Sequence, residues 1–144
     1  MQEERRSIGI SGDCEWEYES EAQVCVTVTN TSLDCKKSYD GSYYIGCEVD
    51  VDYTISTDYE GDNYLDVEIE CKVEIQLNEQ YFDLLGSDFA YDDENHSLYS
   101  HGFDSSSMSF DFSFILYNLA NYDKVTKVKV YSVECEVDSV EQHE

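Results

Sequence analysis

The chain contains no proline, and only 8 of its 144 residues are Lys or Arg. Within sheets proline is confined to edges, first positions and bulges, so its absence permits long unbroken strands. The shortage of bases has a sharper consequence. Set against 33 Asp and Glu, it leaves a formal net charge of −25. A surface so anionic repels nucleic acid and acidic membranes and attracts metal cations and basic proteins. Direct nucleic-acid binding is excluded on that ground. No segment approaches the ~20 apolar residues of a membrane-spanning helix. Residues 1–13 carry Arg5 and Arg6 without an apolar run behind them, and they read as a flexible leader and not as a secretory signal. The motifs of common catalysts are missing too: no GxSxG, no Gly-rich phosphate loop, no HExxH and no CxxC. The expectation is a protein without enzymatic activity and without a cofactor.

What the chain does have is alternation, clearest over 43–78. Tyr43, Ile45, Cys47, Val49, Val51, Tyr53 and Ile55 share one parity, with Glu48, Asp50 and Asp52 on the other. Leu65, Val67, Ile69, Cys71, Val73, Ile75 and Leu77 repeat the pattern against Asp66, Glu68, Glu70 and Glu74. Successive side chains of a strand point to opposite faces, so each stretch is a half-buried strand. A polar turn over 56–64 joins them, and the expectation is one hairpin with a greasy face and an acidic face. If the two strands are neighbours, their carboxylates lie within roughly 5–7 Å, where like charges repel by ~0.8 kcal/mol even in bulk water. Lys72 is the only Lys or Arg between Ser38 and Asp123. An ordinary solvated face would serve with mixed polar residues, so the acidic face suggests a use.

The rest of the chain reads in the same terms. Cys14, Trp16 and Tyr18 alternate with Glu15 and Glu17, and a turn at Glu19, Ser20 and Glu21 leads to the strand of Ala22, Val24, Val26 and Val28. Residues 30–42 read as a loop. Asn78 resembles a helix N-cap, with one or two helical turns over 79–85 ending at Gly86. Residues 87–107 read as a long loop. Phe110, Phe112 and Phe114 alternate with Asp111 and Ser113, a turn or short helix is expected over 117–123, and 124–137 forms the last long strand. There Val128 and Val130 have the wrong parity for Tyr131 and Val133, which a β-bulge near Val130 would reconcile. Residues 139–144 read as an acidic tail. The fold expected is mainly β: a single-domain antiparallel β-sandwich or strongly curled sheet of six to seven strands with one short helix, spanning 14–138.

Six cysteines invite a disulfide framework. Against it, Cys47 and Cys71 have core parity, where a free thiol packs as a small apolar group. Reduced thiols and a cytoplasmic setting are the expectation, with a secreted disulfide-bonded sandwich as the alternative.

The candidate partner-binding residues are Glu48, Asp50, Asp52, Asp66, Glu68, Glu70 and Glu74, extended by Asp58, Glu60 and Asp62 in the turn. Tyr44 and Tyr59, with Tyr64, would be aromatic anchors. Carboxylates held at regular spacing on a rigid sheet can stand in for a phosphate track, and the Lys and Arg that grip DNA can pair with them. Two weaker groupings exist. Asp58, Glu60 and Asp62, or Asp92, Asp93 and Glu94, could offer oxygen ligands to calcium, though neither fits the EF-hand loop. His96 and His101 lack any metal-ligand spacing and read as surface loop histidines.

In overall character the chain is small, strongly acidic, β-rich and free of catalytic signatures. In that respect it resembles the DNA-mimicking anti-restriction and anti-CRISPR proteins of phages and mobile elements. The resemblance is one of composition. It implies a stoichiometric inhibitor that occupies the basic DNA- or RNA-binding groove of a host defence protein. The alternatives are a secreted binding module, with or without calcium, and a structural virion or assembly protein.

Overall fold

The computed structural model describes residues 12–78, 87–114 and 124–143. Seven strands account for most of them: β1 (Gly12–Glu17), β2 (Ala22–Lys37), β3 (Tyr44–Thr57), β4 (Tyr64–Leu77), β5 (Ser87–Leu98), β6 (Phe103–Ser113) and β7 (Val128–His143). They form two antiparallel sheets, a four-stranded one in the order β1-β2-β3-β6 and a three-stranded one in the order β5-β4-β7. Neither sheet is strongly curled. The sheets pack face to face as a sandwich, each presenting its apolar parity inward.

The core follows the alternation. Every odd residue from Cys47 to Ile55 and from Leu65 to Leu77 is buried. From the four-stranded sheet they are joined by Val24, Val26, Phe110 and Phe112, and from the three-stranded sheet by Leu98, Val133 and Val137. Fully burying each such side chain contributes roughly 1.5–3 kcal/mol.

The expected central hairpin does not form. β3 pairs with β2 and β6, whereas β4 pairs with β5 and β7. Residues 58–63 therefore cross from one sheet to the other. Two strands with identical alternation can satisfy their greasy faces side by side or face to face. Side by side, Glu48, Asp50 and Asp52 would sit next to the acids of β4. Face to face, the sandwich stands between them, with sheets ~10 Å apart and the acids on opposite exteriors. Packing and charge repulsion agree on the second arrangement.

Several further expectations are corrected. Residues 30–37 continue β2 after a bulge that leaves Thr29 unpaired and reverses the inward parity. Most of the supposed loop over 87–107 is β5 and the first half of β6. β7 runs to His143, so the acidic tail is largely paired strand. The bulge foreseen near Val130 exists. Its extra residue is Tyr131, which is turned out and half-exposed, away from the core face expected for it. A second bulge leaves Asp138 as the extra residue. Among the described residues there is no helix. The helical turns expected over 79–85 with Gly86, the turn or helix over 117–123 and most of the leader lie outside the described residues.

All six cysteines are paired, which overturns the reading of reduced thiols. Cys14–Cys25 joins β1 to β2, Cys35–Cys47 joins β2 to β3, and Cys71–Cys135 joins β4 to β7. Each pair is directly opposed in the strand register, with Cα atoms 3.9–4.0 Å apart. Core parity and disulfide formation are compatible: Cys71–Cys135 is wholly inside the sandwich, and Cys14–Cys25 lies on the outer face. The first bridge also sets the register of β1. Glu15 then faces Val24 on the inner side, and Trp16 and Tyr18 are left exposed. Such a framework is a poor fit to a reducing cytoplasm.

Candidate functional site

The two acidic arrays occupy opposite outer faces, and their surroundings differ. On the four-stranded sheet, Glu48 sits between Asp34 of β2 and Asp111 of β6 in one cross-strand row. The next rows dilute the charge: Asp50 lies between Ser32 and Ser109, and Asp52 between Asn30 and Ser107. Ser109 Oγ donates to Asp50 Oδ1 at 2.6 Å. The charge of Asp50, with partial burial and the charges of Asp111 and Asp34, holds the Glu48 carboxyl above its ordinary value.

The outer face of the three-stranded sheet is more densely anionic. Asp66 lies between Ser97 and Glu141, Glu68 between Asn95 and Ser139, and Glu70 between Asp93 and Glu136. The β7 bulge adds Asp138, and carboxylate oxygens of Glu70, Glu136 and Asp138 come within 4.8 Å of one another. Burial, then Asp93 and Asp138, raise the Glu68 carboxyl. Burial, then Asp138, Glu136 and Asp93, do the same for Glu70. These neighbours are like charges that oppose ionisation.

One end of this face is aromatic. Tyr91 of β5 and Glu134 of β7 oppose Lys72, and Phe89 and Ser132 oppose Glu74. Lys72 Nζ lies 5.7 Å from the ring centre of Phe89 and 5.8 Å from that of Tyr91. Phe89, Tyr91 and the bulged Tyr131 are 55%, 56% and 52% exposed. The sequence hid this patch because 87–98 read as a loop and Tyr131 read as core.

The expected aromatic anchors behave otherwise. Tyr59 is only 3% exposed and belongs to the core, so it is unavailable to a partner. Tyr44 is half-buried under Lys37, whose Nζ lies 5.9 Å from its ring. Tyr64 is half-buried against Tyr99, ring centres 5.3 Å apart. The turn acids do not act as one group. Asp58 Oδ1 accepts the Gln23 amide at 2.8 Å, Glu60 faces His101 Nε2 at 3.4 Å, and Asp62 is exposed. Asp92 and Glu94 take one parity of β5 and Asp93 the other, so that trio is not gathered round a cation either.

His96 and Glu94 serve a different purpose. They sit on the inward parity of β5, at the open side of the sandwich where β5 and β6 are the two sheet edges. Tyr53 Oη donates to Glu94 Oε1 and contacts His96 Nε2 at 2.8 Å. His96 Nδ1 faces Asp104 Oδ2 at 2.8 Å, and Ser106 Oγ donates to Glu94 Oε1 at 2.8 Å. The His96 side chain is 7% exposed, which corrects its assignment to a surface loop. Burial, reinforced by Glu94, raises the Tyr53 phenol well above its ordinary value. Burial would also raise the Glu94 carboxyl. The hydroxyls of Tyr53 and Ser106 and the His96 ring outweigh it and hold that carboxyl low. The cluster is a polar clasp between the sheets. Across the sandwich, Asp13 Oδ2 accepts the Val137 amide at 2.9 Å and ties β1 to β7.

No known protein family matches the chain, and no curated protein matches it. Among solved structures, it is similar to Northeast Structural Genomics Consortium target SoR45 at 9% identity, with TM-score 0.29, covering 60% of this chain and 61% of that one. It is also similar to part of a beta-glucosidase from Kluyveromyces marxianus, solved with glucose, at 6% identity and TM-score 0.30. That match covers 81% of this chain and 15% of the glucosidase. At these TM-scores neither resemblance carries an argument about fold or function.

Proposed function

We propose that this chain is a non-catalytic, stoichiometric binding module that docks a basic protein through the outer face of its three-stranded sheet. The observation that carries the reading is the crowding of carboxylates on that face, where oxygens of Glu70, Glu136 and Asp138 lie within 4.8 Å of one another. Burial and the charges of Asp93 and Asp138, joined at Glu70 by Glu136, hold the Glu68 and Glu70 carboxyls above their ordinary value. A cationic partner relieves a repulsion the fold already bears, and it is steered in by the field of the whole molecule. The three disulfides support a module that works in a non-reducing environment.

Inhibition by imitating a phosphate track is the specific form suggested by the regular pitch of Asp66, Glu68 and Glu70. Alternate residues of β4 recur every ~6.8 Å on one rigid face. The track is narrower than the sequence implied, because Glu48, Asp50 and Asp52 belong to the opposite exterior. A DNA- or RNA-binding groove is the class of partner surface that fits it.

Charge reversal on each face in turn tests the reading. Glu68→Lys with Glu70→Lys and Glu136→Lys should abolish capture of basic nucleic-acid-binding proteins at low salt. Glu48→Lys with Asp50→Lys and Asp52→Lys should leave most of it, and both variants should keep the β-sheet circular-dichroism signal. Capture that survives the first set and fails with the second would move the interface to the other sheet. Capture indifferent to both would remove the proposal.

A further inference from the structure

The acidic rows account for attraction to a cation but leave the aromatic end of the same face unexplained. Apolar rings turned outward from the middle of a strand are costly in water, and clustered exposure of this kind marks interaction surfaces. Tyr91 and Tyr131 flank β4 from opposite sides, one opposite Lys72 and the other in the bulge beside Ser132. Both are more than half exposed. Glu74 and Glu134 share those rows. Ring faces and carboxylates of this patch therefore favour the same kind of visitor. The protein already supplies one example, because Lys72 Nζ lies within cation–π range of two rings.

Resting on the docking face proposed above, we infer that the partner is read as arginine in preference to lysine, with one guanidinium held by the Glu70–Glu136–Asp138 carboxylates and the next stacked at the Tyr91–Tyr131 end. The spacing supports this division. Tyr91 lies in the Lys72 row, two residues or ~6.8 Å from the Glu70 row, and Tyr131 lies just beyond the Glu74 row, roughly another 6.8 Å along β4. Alternate side chains of an extended partner segment have the same repeat, so a basic segment lying along β4 meets both subsites in register. Arginine suits both. Its planar fork matches a carboxylate with two parallel hydrogen bonds, and its flat face stacks on an aromatic ring. Lysine offers a more strongly hydrated point charge and gains less at either place.

The test uses the full chain and two extended peptides, one alternating arginine with serine and one alternating lysine with serine. The arginine peptide should bind several-fold more tightly. Tyr91→Leu with Tyr131→Leu keeps apolar bulk and removes the rings. It should lower the arginine-to-lysine affinity ratio by roughly 2- to 5-fold per ring engaged, the range of an exposed cation–π contact. Tyr91→Phe with Tyr131→Phe should preserve the ratio, and because these side chains are outside the core all variants should retain the wild-type circular dichroism. Equal affinity for the two peptides, or a ratio unmoved by the leucine pair, overturns the arginine inference and leaves the docking face standing. Failure of both peptides to bind overturns the docking face as well.

Discussion

Removing the buried bridge by Cys71→Ala with Cys135→Ala should cost more stability than removing any other disulfide. The difference originates in the unfolded chain. Cys71 and Cys135 are 64 residues apart, whereas Cys14 and Cys25 are 11 apart and Cys35 and Cys47 are 12 apart. Loop-closure entropy grows with the logarithm of the loop, giving about 4 kcal/mol for the long loop and about 3 kcal/mol for either short one. The long bridge also lies between β4 and β7 with both sulfurs in the core. Its removal therefore adds a packing loss that the exposed Cys14–Cys25 bridge does not share. Domains are stable by about 5–15 kcal/mol, so the long-bridge variant should remain folded with a stability reduced to about 1–11 kcal/mol. The assay is urea denaturation followed by circular dichroism, with a denatured thiol titration to show that wild type has no free thiol. With a slope of ~2 kcal/mol per molar urea, the midpoint should fall by roughly 2 M for Cys71→Ala with Cys135→Ala and by about 1.5 M for Cys14→Ala with Cys25→Ala. A larger fall for the exposed pair would refute the reasoning, as would six titratable thiols in wild type.

Stability should also depend on pH in two opposing ways. Glu48, Glu68 and Glu70 are held above their ordinary carboxyl value of 4.5 in the folded chain. Their contribution is complete below that value and is lost as pH rises through the raised folded values. Glu94 is held low, so its contribution is present above the ordinary value and is lost as pH falls through the lowered one. Urea midpoints should thus improve from neutral into mildly acidic solution and then decline. A steady decline from neutrality downward would contradict the crowding of the outer-face acids. Tyr53→Phe deletes the hydroxyl shared by Glu94 and His96 and should cost about 1–3 kcal/mol, the penalty for stranding buried polar groups. An unchanged midpoint would show that the clasp does not hold the sheets. Gly46→Ala should weaken β3–β6 pairing, because a Cβ there would lie 2.7 Å from the Phe112 carbonyl oxygen. A wild-type midpoint for this variant would show that β6 yields freely.

The strands themselves were legible wherever one face is core and the other is water. β3 and β4 are the clearest cases, and the bulge near Val130 could be read from a break in parity alone. Alternation names a face and leaves the neighbour open, which is why the hairpin expectation failed. β3 and β4 satisfy the same pattern from opposite sheets. β5 escaped notice for a different reason. Its inward parity carries Asp92, Glu94 and His96, because it borders the open side of the sandwich and there contributes to a polar clasp. A strand whose inner face is polar carries no period-two signal. The disulfides left a signal that could have been used. A hairpin folded about Gly41 sets Cys35 opposite Cys47, and one folded at Ser20 sets Cys14 opposite Cys25. The candidate site was legible as charge and illegible as geometry. Asp93, Glu136 and Asp138 join β4's acids through strand pairing, and Asp138 through a bulge that alternation did not reveal.

A cationic partner should settle on one exterior of the sandwich and leave the other bare. Amide chemical-shift mapping during titration with an arginine-serine peptide tests that placement most directly. Salt-sensitive shifts should centre on Glu68, Glu70, Asp93, Glu136 and Asp138 and extend to Tyr91 and Tyr131, with little change at Glu48, Asp50 and Asp52. Shifts centred on the β3 acids, or spread evenly over both exteriors, would contradict that placement.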